Sequence, residues 1–175
     1  LGKTAAYENE KLSDYSKAKL ISHAAAMWKY FDVLCGPGDN FLPPDNLQEA
    51  PVFRTAHRTS PTNIGLMLVS CLAARDLGFI DTEELCRKVG NTLTTVEKLE
   101  KYYGNLLNWY NTETLKPLYP RYASTVDSGN FLCCLVALRQ GLLEYVAQCT
   151  EIRDLVLRIT KLLCDTDITC FFNGR

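Results

Sequence analysis

The chain has 175 residues, of which 47% are hydrophobic, and its formal net charge is −1. This length and apolar fraction suffice for one buried core, so we expect a single, partial domain over residues 1–175. A near-neutral charge provides no basic surface for nucleic acid, and we expect no nucleic-acid partner. No apolar run reaches the roughly 20 residues that a membrane-spanning helix needs. Because the sequence begins with Leu1 rather than Met, we expect it to be part of a longer protein.

The eight cysteines do not have the pattern of a disulfide framework. No two of them have zinc-ligand spacing, and the histidines, His23 and His57, are isolated. We therefore predict free thiols in a reducing compartment, with no metal or cofactor. Six cysteines fall in apolar helical patterns, where a free cysteine behaves as a small hydrophobe: Cys71, Cys86, Cys133, Cys134, Cys149 and Cys164.

In chain order, apolar periodicity predicts helices over about 13–35, 61–78, 82–103, 128–148 and 151–163. Ser60 followed by Pro61 is a helix-start signal, and Asp81 with Glu84 forms a capping box. No segment shows sustained strand alternation, so the predicted class is all-α, built from antiparallel helical hairpins. The apolar positions of the first helix are expected to face the core: Leu20, Ala24, Met27, Phe31 and Leu34.

Two of the predicted connections, 36–60 and 104–127, are much longer than the roughly 2–8 residues that usually join helices. If consecutive helices run antiparallel, every second connection lies at the same end of the bundle. The two long loops should then meet on one face. Long loops on a rigid helical frame commonly carry the function of a domain.

The residues in and beside these loops are suited to binding sugar. Carboxylate, amide and guanidinium groups can bind pairs of sugar hydroxyls, and aromatic rings can cover the C–H face of a pyranose. The candidate substrate-binding residues are Asp45, Asn46, Glu49, Arg58, Thr59, Asn63, Trp109, Tyr110, Arg121, Asp127 and Asn130.

Each candidate also has a purely structural interpretation. Asp45 and Asn46 could form an Asx turn, and Asp127 could cap the fourth helix. Arg58 could bind a buried carboxylate, and Trp109 could fill the space between helix ends. For a single residue the two interpretations are about equally good, and only the convergence of two similar loops favours a site.

Four segments together resemble the central, glucoamylase-like domain of bacterial cyclic β-1,2-glucan synthases: Asn40–Asn46, Arg58–Leu66, Asn108–Tyr110 and Ser124–Asn130. The resemblance extends from about Trp28 to the end of the chain. It implies an α/α toroid of six helical hairpins, incomplete here, that acts as a transglycosylase on linear β-1,2-glucan during cyclisation. The parent synthase would be membrane-associated, with this domain on the cytoplasmic side. Asn111 departs from the family pattern, where an Asp is expected.

The same resemblance implies that the catalytic glutamate pair lies beyond residue 175. The candidate residues would then be substrate subsites, and the chain alone would be inactive. The exposed edge of a partial toroid would favour a homo-oligomer or contact with other domains of the parent protein. Two alternatives remain open: a non-catalytic helical module that binds a protein partner through the loops, and a helical solenoid, for which no fixed-period repeat is visible.

Overall fold

The computed structural model describes residues 11–172, and it is built mainly of helices. Five α-helices, α1 to α5, span Asp14–Leu34, Pro61–Asp76, Thr82–Lys98, Thr125–Leu143 and Glu151–Asp165. Short 3-10 turns lie at Pro37–Asp39 and Thr169–Phe171. The predicted all-α class is confirmed as a mostly helical fold.

Side-chain caps define where four of the helices begin. Ser13, Ser60, Asp81 and Ser124 each accept a hydrogen bond from the backbone N–H three residues further on. Because Ser124 is the cap of α4, that helix starts three residues before the predicted position 128. α3 ends at Lys98 rather than at 103, since Leu99 has extended backbone and a short hairpin follows.

The long connections contain seven short strands that the sequence did not reveal. These strands, β1 to β7, are Leu47–Gln48, Arg54–Thr55, Arg58–Thr59, Lys101–Tyr102, Asn105–Leu106, Asn108–Asn111 and Pro117–Tyr122. β1 pairs with β2, β4 pairs with β5, and β3, β6 and β7 form a three-stranded antiparallel sheet. Most contain only two residues, too few for alternation to be recognised in a sequence.

Helices α2 and α4 pack side by side in the same direction at the centre of the fold. Thr62 contacts Asn130 near the two helix starts, and Gly141 lies against Leu72 near the two ends. Gly65 allows α2 and α4 to approach each other closely, because a Cβ at this position would lie 2.9 Å from Cys134 Cβ. α3 and α5 cover this pair, and the buried core comes mainly from these four helices.

The expectation of a buried stripe on α1 is met only in part, because Ala24, Phe31 and Leu34 are half-buried and Phe31 packs against the core. Trp28 is its one buried residue within the described part of the chain, whereas Leu20 and Met27 are 55% and 74% exposed. α1 packs on α2 along one side and leaves Leu20, Ile21, Met27 and Val33 exposed. Among the cysteines, Cys133 and Cys164 are exposed rather than buried, and all eight are free thiols in the structure. None of the helices described over residues 11–172 is long and apolar enough to span a membrane.

The two long connections meet, as predicted. β3 in the first pairs with β6 in the second, with Arg58 opposite Asn111 and Thr59 opposite Tyr110. β3 leads directly into α2, and the sheet leads through β7 into α4. The joined loops therefore lie over the N-terminal ends of the two central helices.

Candidate functional site

Asp39 links the two long loops and was not among the residues predicted from sequence. His57 Nδ1 donates to Asp39 Oδ1 at 2.7 Å, and the Thr112 hydroxyl donates to the same oxygen. The hydrogen bond that His57 donates to Asp39 raises the pKa of His57 above its ordinary value, and partial desolvation opposes this effect. Asp39 is an acidic residue in a turn, and nothing in the sequence around it indicated that it would connect the two loops.

A pH-dependence follows from this pair. Because the pKa of His57 is raised on folding, the pair stabilises the loop fully below the unfolded pKa of about 6.5. That stabilisation is lost as the pH rises through the folded pKa. In an NMR titration of a His23→Gln variant, where His57 is the single histidine, Asp39→Asn should return the His57 midpoint toward its ordinary value. An unchanged midpoint in Asp39→Asn would contradict the assignment.

The first loop is also fixed by Asn40. Its side-chain Nδ2 donates to the carbonyls of Thr112 and Glu113 at 2.8 and 2.9 Å, and its own carbonyl accepts from Thr95 Oγ1 at 2.7 Å. Asn40 and Phe41 both have left-handed backbone, with φ of 51° and 61°. A non-glycine residue keeps such a conformation only where its surroundings impose it. The bonds of Asn40 to both α3 and the second loop provide this restraint.

Asp45 organises the polar side chains above the start of α2. Its Oδ2 accepts from Arg58 Nη2 at 2.9 Å, from Arg58 Nε at 3.2 Å and from Asn46 Nδ2 at 3.0 Å. Its Oδ1 accepts from Asn63 Nδ2 at 3.3 Å. The structure therefore brings these four predicted residues together, with Asp45 as the common acceptor.

Trp109 completes this group. The Arg58 guanidinium carbon lies 5.2 Å from the centroid of the Trp109 ring, within range of a cation–π interaction. Trp109 is half-buried, while its neighbours in β6, Asn108 and Tyr110, are buried on the opposite face of the strand. We call the surface formed by Asp45, Arg58, Asn63 and Trp109 the loop cluster.

Asp127 lies where the first turns of α2 and α4 meet. Partial burial raises its pKa, but hydrogen bonds to the carboxylate outweigh this and hold the pKa below its ordinary value. The groups that lower it are the side chains of Thr62, Ser124, Asn108 and Ser60. Asp127 is also in the first turn of α4, where the helix dipole favours negative charge. It is therefore a carboxylate at neutral pH, able to accept hydroxyl protons but poorly suited to donate one.

Three buried polar atoms next to these residues have no hydrogen-bond partner within residues 11–172: Thr59 Oγ1, Asn108 Oδ1 and Ser128 Oγ. Thr59 precedes the cap of α2, and Ser128 follows Asp127 in α4. Buried polar groups are normally satisfied, so these atoms retain unused bonding capacity. Thr59 was predicted as a sugar contact, but it is fully buried and does not belong to the exposed surface.

Tyr110 requires a correction. It was expected to contact sugar, but it is fully buried, and its hydroxyl donates to the Glu100 carbonyl at 2.5 Å and accepts from Leu107 N at 2.7 Å. Burial raises its pKa to about 12. The hydroxyl therefore both donates and accepts a hydrogen bond within the protein. Through these bonds Tyr110 fixes β6 to the segment after α3.

The remaining predicted residues lie at the edges of the site or away from it. Asn130 Nδ2 donates to Thr62 Oγ1 at 3.1 Å and ties α4 to α2. Arg121 pairs with Glu100 and lines a separate groove. Glu49 is exposed between β1 and β2. No group of three or more His, Cys, Asp and Glu side chains in the described residues could hold a metal ion.

The chain is similar to a known synthase over part of its length. It is 47% identical over 115 residues to the cyclic β-(1,2)-glucan synthase NdvB of Rhizobium meliloti, an alignment that covers 66% of this chain and 4% of the synthase. The predicted resemblance to cyclic β-1,2-glucan synthases is thus confirmed. The chain spans only a small fraction of the length of this relative.

Solved structures show the same fold at low sequence identity. The endo-β-1,2-glucanase of Chitinophaga pinensis, solved with sophorotriose and glucose, has a TM-score of 0.73 at 18% identity; the match covers 94% of this chain and 40% of that one. A β-1,2-glucanase of Parabacteroides distasonis has a TM-score of 0.73 at 15% identity, covering 92% and 22%. A candidate glucoamylase of Bacteroides fragilis has a TM-score of 0.75 at 21% identity, covering 95% and 40%.

These matches confirm that the chain has the fold of part of a glucoamylase-like α/α toroid. The protein-family comparison extends over most of the sequence, since one family matches residues 22–169. The chain belongs to that family, DUF3131, which is described as a protein family of unknown function.

Proposed function

We propose that this chain binds β-1,2-linked glucan as part of the glucan-processing region of a cyclic β-1,2-glucan synthase. The observation that carries the proposal is the loop cluster, where the Asp45–Arg58 pair and the Trp109 ring form one surface beside the ionised Asp127. The synthase relative and the two β-1,2-glucanase structures support the choice of substrate.

The chemistry of the cluster matches that of a glucose unit. The Trp109 ring can cover the C–H face of a pyranose, while Arg58 donates and Asp45 accepts at neighbouring hydroxyls. Asp127 adds a second hydrogen-bond acceptor. Side-chain hydrogen bonds from residues of α2 and β6 stabilise its negative charge. Since the four bonds to Asp45 already exist without sugar, the surface is pre-organised, which lowers the entropy cost of binding.

Neither carboxylate of this surface is suited to be a general acid. Asp45 already accepts four hydrogen bonds, and Asp127 has a lowered pKa. Cleavage or transfer at a glycosidic bond needs two facing carboxyl groups, one of which donates a proton. We therefore assign this chain to holding the glucan, with the acid and base supplied by other parts of the parent protein.

The remaining expectations about context are part of the same proposal. We place the domain on the cytoplasmic side of a membrane-associated synthase, in contact with the parent's other domains. The exposed apolar positions of α1, including Leu20 and Met27, would favour such contacts or association with a second copy. The alternative of a module that binds an unrelated protein is not favoured by any of the relatives.

The test uses Trp109 as the probe. The chain has two tryptophans, so a Trp28→Phe variant reports Trp109 fluorescence alone. Titration with a linear β-1,2-glucan oligomer should give a saturable change in emission with roughly millimolar affinity, because a surface of this size binds sugar weakly. Oligomers of equal length with β-1,3 or β-1,4 linkages are the matched controls. No response, or an equal response to all three linkages, would overturn the proposal.

A further inference from the structure

A second site lies on the outer side of the fold, away from the loop cluster. A groove of about 850 Å³ runs between α3 and α5, and its lining includes Cys86 near the start of α3 and Cys149 just before α5. Cys149 follows the end of α4, whereas the loop cluster lies at the start of that helix. A helix of 19 residues is about 28 Å long, so the two sites are well separated.

The groove brings two thiols into contact. Cys86 Sγ lies 3.6 Å from Cys149 Sγ, although the residues are 63 positions apart in sequence. Cys86 is 9% exposed, whereas Cys149 is half-buried at the groove surface. Cys149 Sγ also donates to Glu151 Oε2 at 2.7 Å. Both thiols therefore border the groove, and Cys149 is the more accessible of the two.

We propose that Cys86 and Cys149 form a redox site, a dithiol that a small disulfide such as glutathione disulfide converts into a cross-link between α3 and the α4–α5 turn. The sulfur atoms must approach by about 1.5 Å to reach the disulfide bond length. The segment between Leu143 and Glu151 consists of turns, so it can move without disrupting a helix. The groove, at about 850 Å³, is open to solvent and can admit one tripeptide half of glutathione disulfide.

The reaction takes place in two exchanges that balance. The Cys149 thiolate attacks one sulfur of the small disulfide, and the first small thiol leaves and takes up the proton that Cys149 lost. Cys86 then loses its proton and attacks Cys149 in the mixed disulfide, and the second small thiol leaves. Two protein thiols are oxidised, and one small disulfide is reduced to two thiols.

The order of attack follows from exposure. Burial, together with the hydrogen bond to Cys149, raises the pKa of Cys86 to about 12, so its thiolate is scarce at neutral pH. Cys149 faces the groove and meets the oxidant first. Cys86 reacts in the second step, when its target sulfur is already adjacent and the exchange is intramolecular.

Glu151 controls the rate. Hydrogen bonds from Cys149 and Thr150 lower the pKa of Glu151, so it is a carboxylate at neutral pH. The Cys149 thiol must give up its hydrogen bond to this charged acceptor before it can attack, which slows exchange. Glu151→Gln keeps a hydrogen-bond acceptor but removes the charge, and it should accelerate cross-linking several-fold.

The test is oxidation of the purified chain with glutathione disulfide, followed by mass spectrometry and thiol counting. The unreacted protein should show eight free thiols, and the oxidised protein two fewer, with the mass reduced by two hydrogens and one cross-linked peptide joining Cys86 to Cys149. Cys86→Ser and Cys149→Ser should abolish the cross-link, whereas Cys133→Ser, at an exposed cysteine outside the pair, should not. The cross-link should raise the Tm by roughly 5–10 °C, because it constrains the unfolded chain.

Two results would overturn the proposal, and a third would contradict only the role assigned to Glu151. They are a mixed disulfide at Cys149 that never resolves, cross-links distributed among other cysteines, and equal oxidation rates in the wild-type and Glu151→Gln proteins. The first would show that Cys86 cannot reach its target. The second would show that oxidation requires unfolding. The third would remove the role of the Glu151 charge.

Discussion

Replacing Gly104 with alanine should lower the free energy of unfolding by about 3–5 kcal/mol. Gly104 lies in the turn between β4 and β5 with a φ of 78°, where a Cβ is strained. An added Cβ would also lie 2.1 Å from the Asp165 carbonyl oxygen and 2.7 Å from Thr166 Cα. Both obstacles are backbone, so they cannot rotate away. Chemical denaturation would show a lower midpoint and thermal unfolding a lower Tm.

Two glycines provide matched controls for this effect. Gly78 has a φ of 76° but nothing within 4 Å of the added Cβ, so Gly78→Ala should cost only about 1–2 kcal/mol of backbone strain. Gly38 has neither the left-handed backbone nor a close neighbour, and Gly38→Ala should be nearly neutral. If Gly104→Ala and Gly78→Ala lowered the free energy of unfolding equally, the close contact between Gly104 and the end of α5 would not contribute to stability.

The Gly104 contact matters because it docks the second loop onto the end of α5. Asp167 N donates to the Tyr103 carbonyl at 3.0 Å, and Asn105 Nδ2 donates to the Asp167 carbonyl at 2.8 Å. β5 is followed at once by β6, which carries Trp109. Moving the hairpin would therefore disturb the loop cluster as well as the fold.

Replacing Trp109 with alanine should weaken binding of a β-1,2-glucan oligomer about tenfold to thirtyfold. This corresponds to roughly 1.4–2 kcal/mol, the usual range for truncating an aromatic contact at a binding surface. The half-buried ring supplies the largest apolar area of the loop cluster and supports the Arg58 guanidinium. Chemical-shift titration can measure the affinity without a tryptophan signal.

Tyr15→Ala is the control for Trp109→Ala. Tyr15 is 78% exposed and lies at the start of α1, about 28 Å along the helix axis from its end at Leu34. The Tyr15→Ala substitution removes an exposed aromatic ring that is distant from the loops, so glucan affinity should not change. If the two variants bind equally well, Trp109 makes no contact with sugar, and the loop cluster is not a subsite.

The sequence predicted the helices well because their signals are local. Caps such as Ser60 and Asp81 act within three residues, and apolar periodicity extends over several turns. The same reasoning was only partly right for α1, where Phe31 packs on the core but other positions of the stripe are exposed. Leu20 and Met27 have helical spacing, but periodicity shows which residues share a face and not whether another element covers it.

The loops show the limit of local reasoning most clearly. Asp45, Arg58 and Trp109 were predicted from residue chemistry, and the structure brings them into contact. Tyr110 has similar chemistry, but it lies on the opposite face of the strand from Trp109, and its side chain is buried in the core. A four-residue strand is too short for its faces to be assigned from sequence, and adjacent aromatic residues cannot be told apart there.

The sequence by itself determined the helical class, the positions of most helix starts and the two long loops, because each depends on residues close together in the chain. Only the tertiary structure decided which groups meet. Asp39 with Thr112, Gly104 with Asp165, and Cys86 with Cys149 are each more than 60 positions apart. Such contacts depend on the parallel packing of α2 and α4 and on the pairing of β3 with β6. Pairing of this kind depends on the whole arrangement of the chain, so no local sequence pattern encodes it.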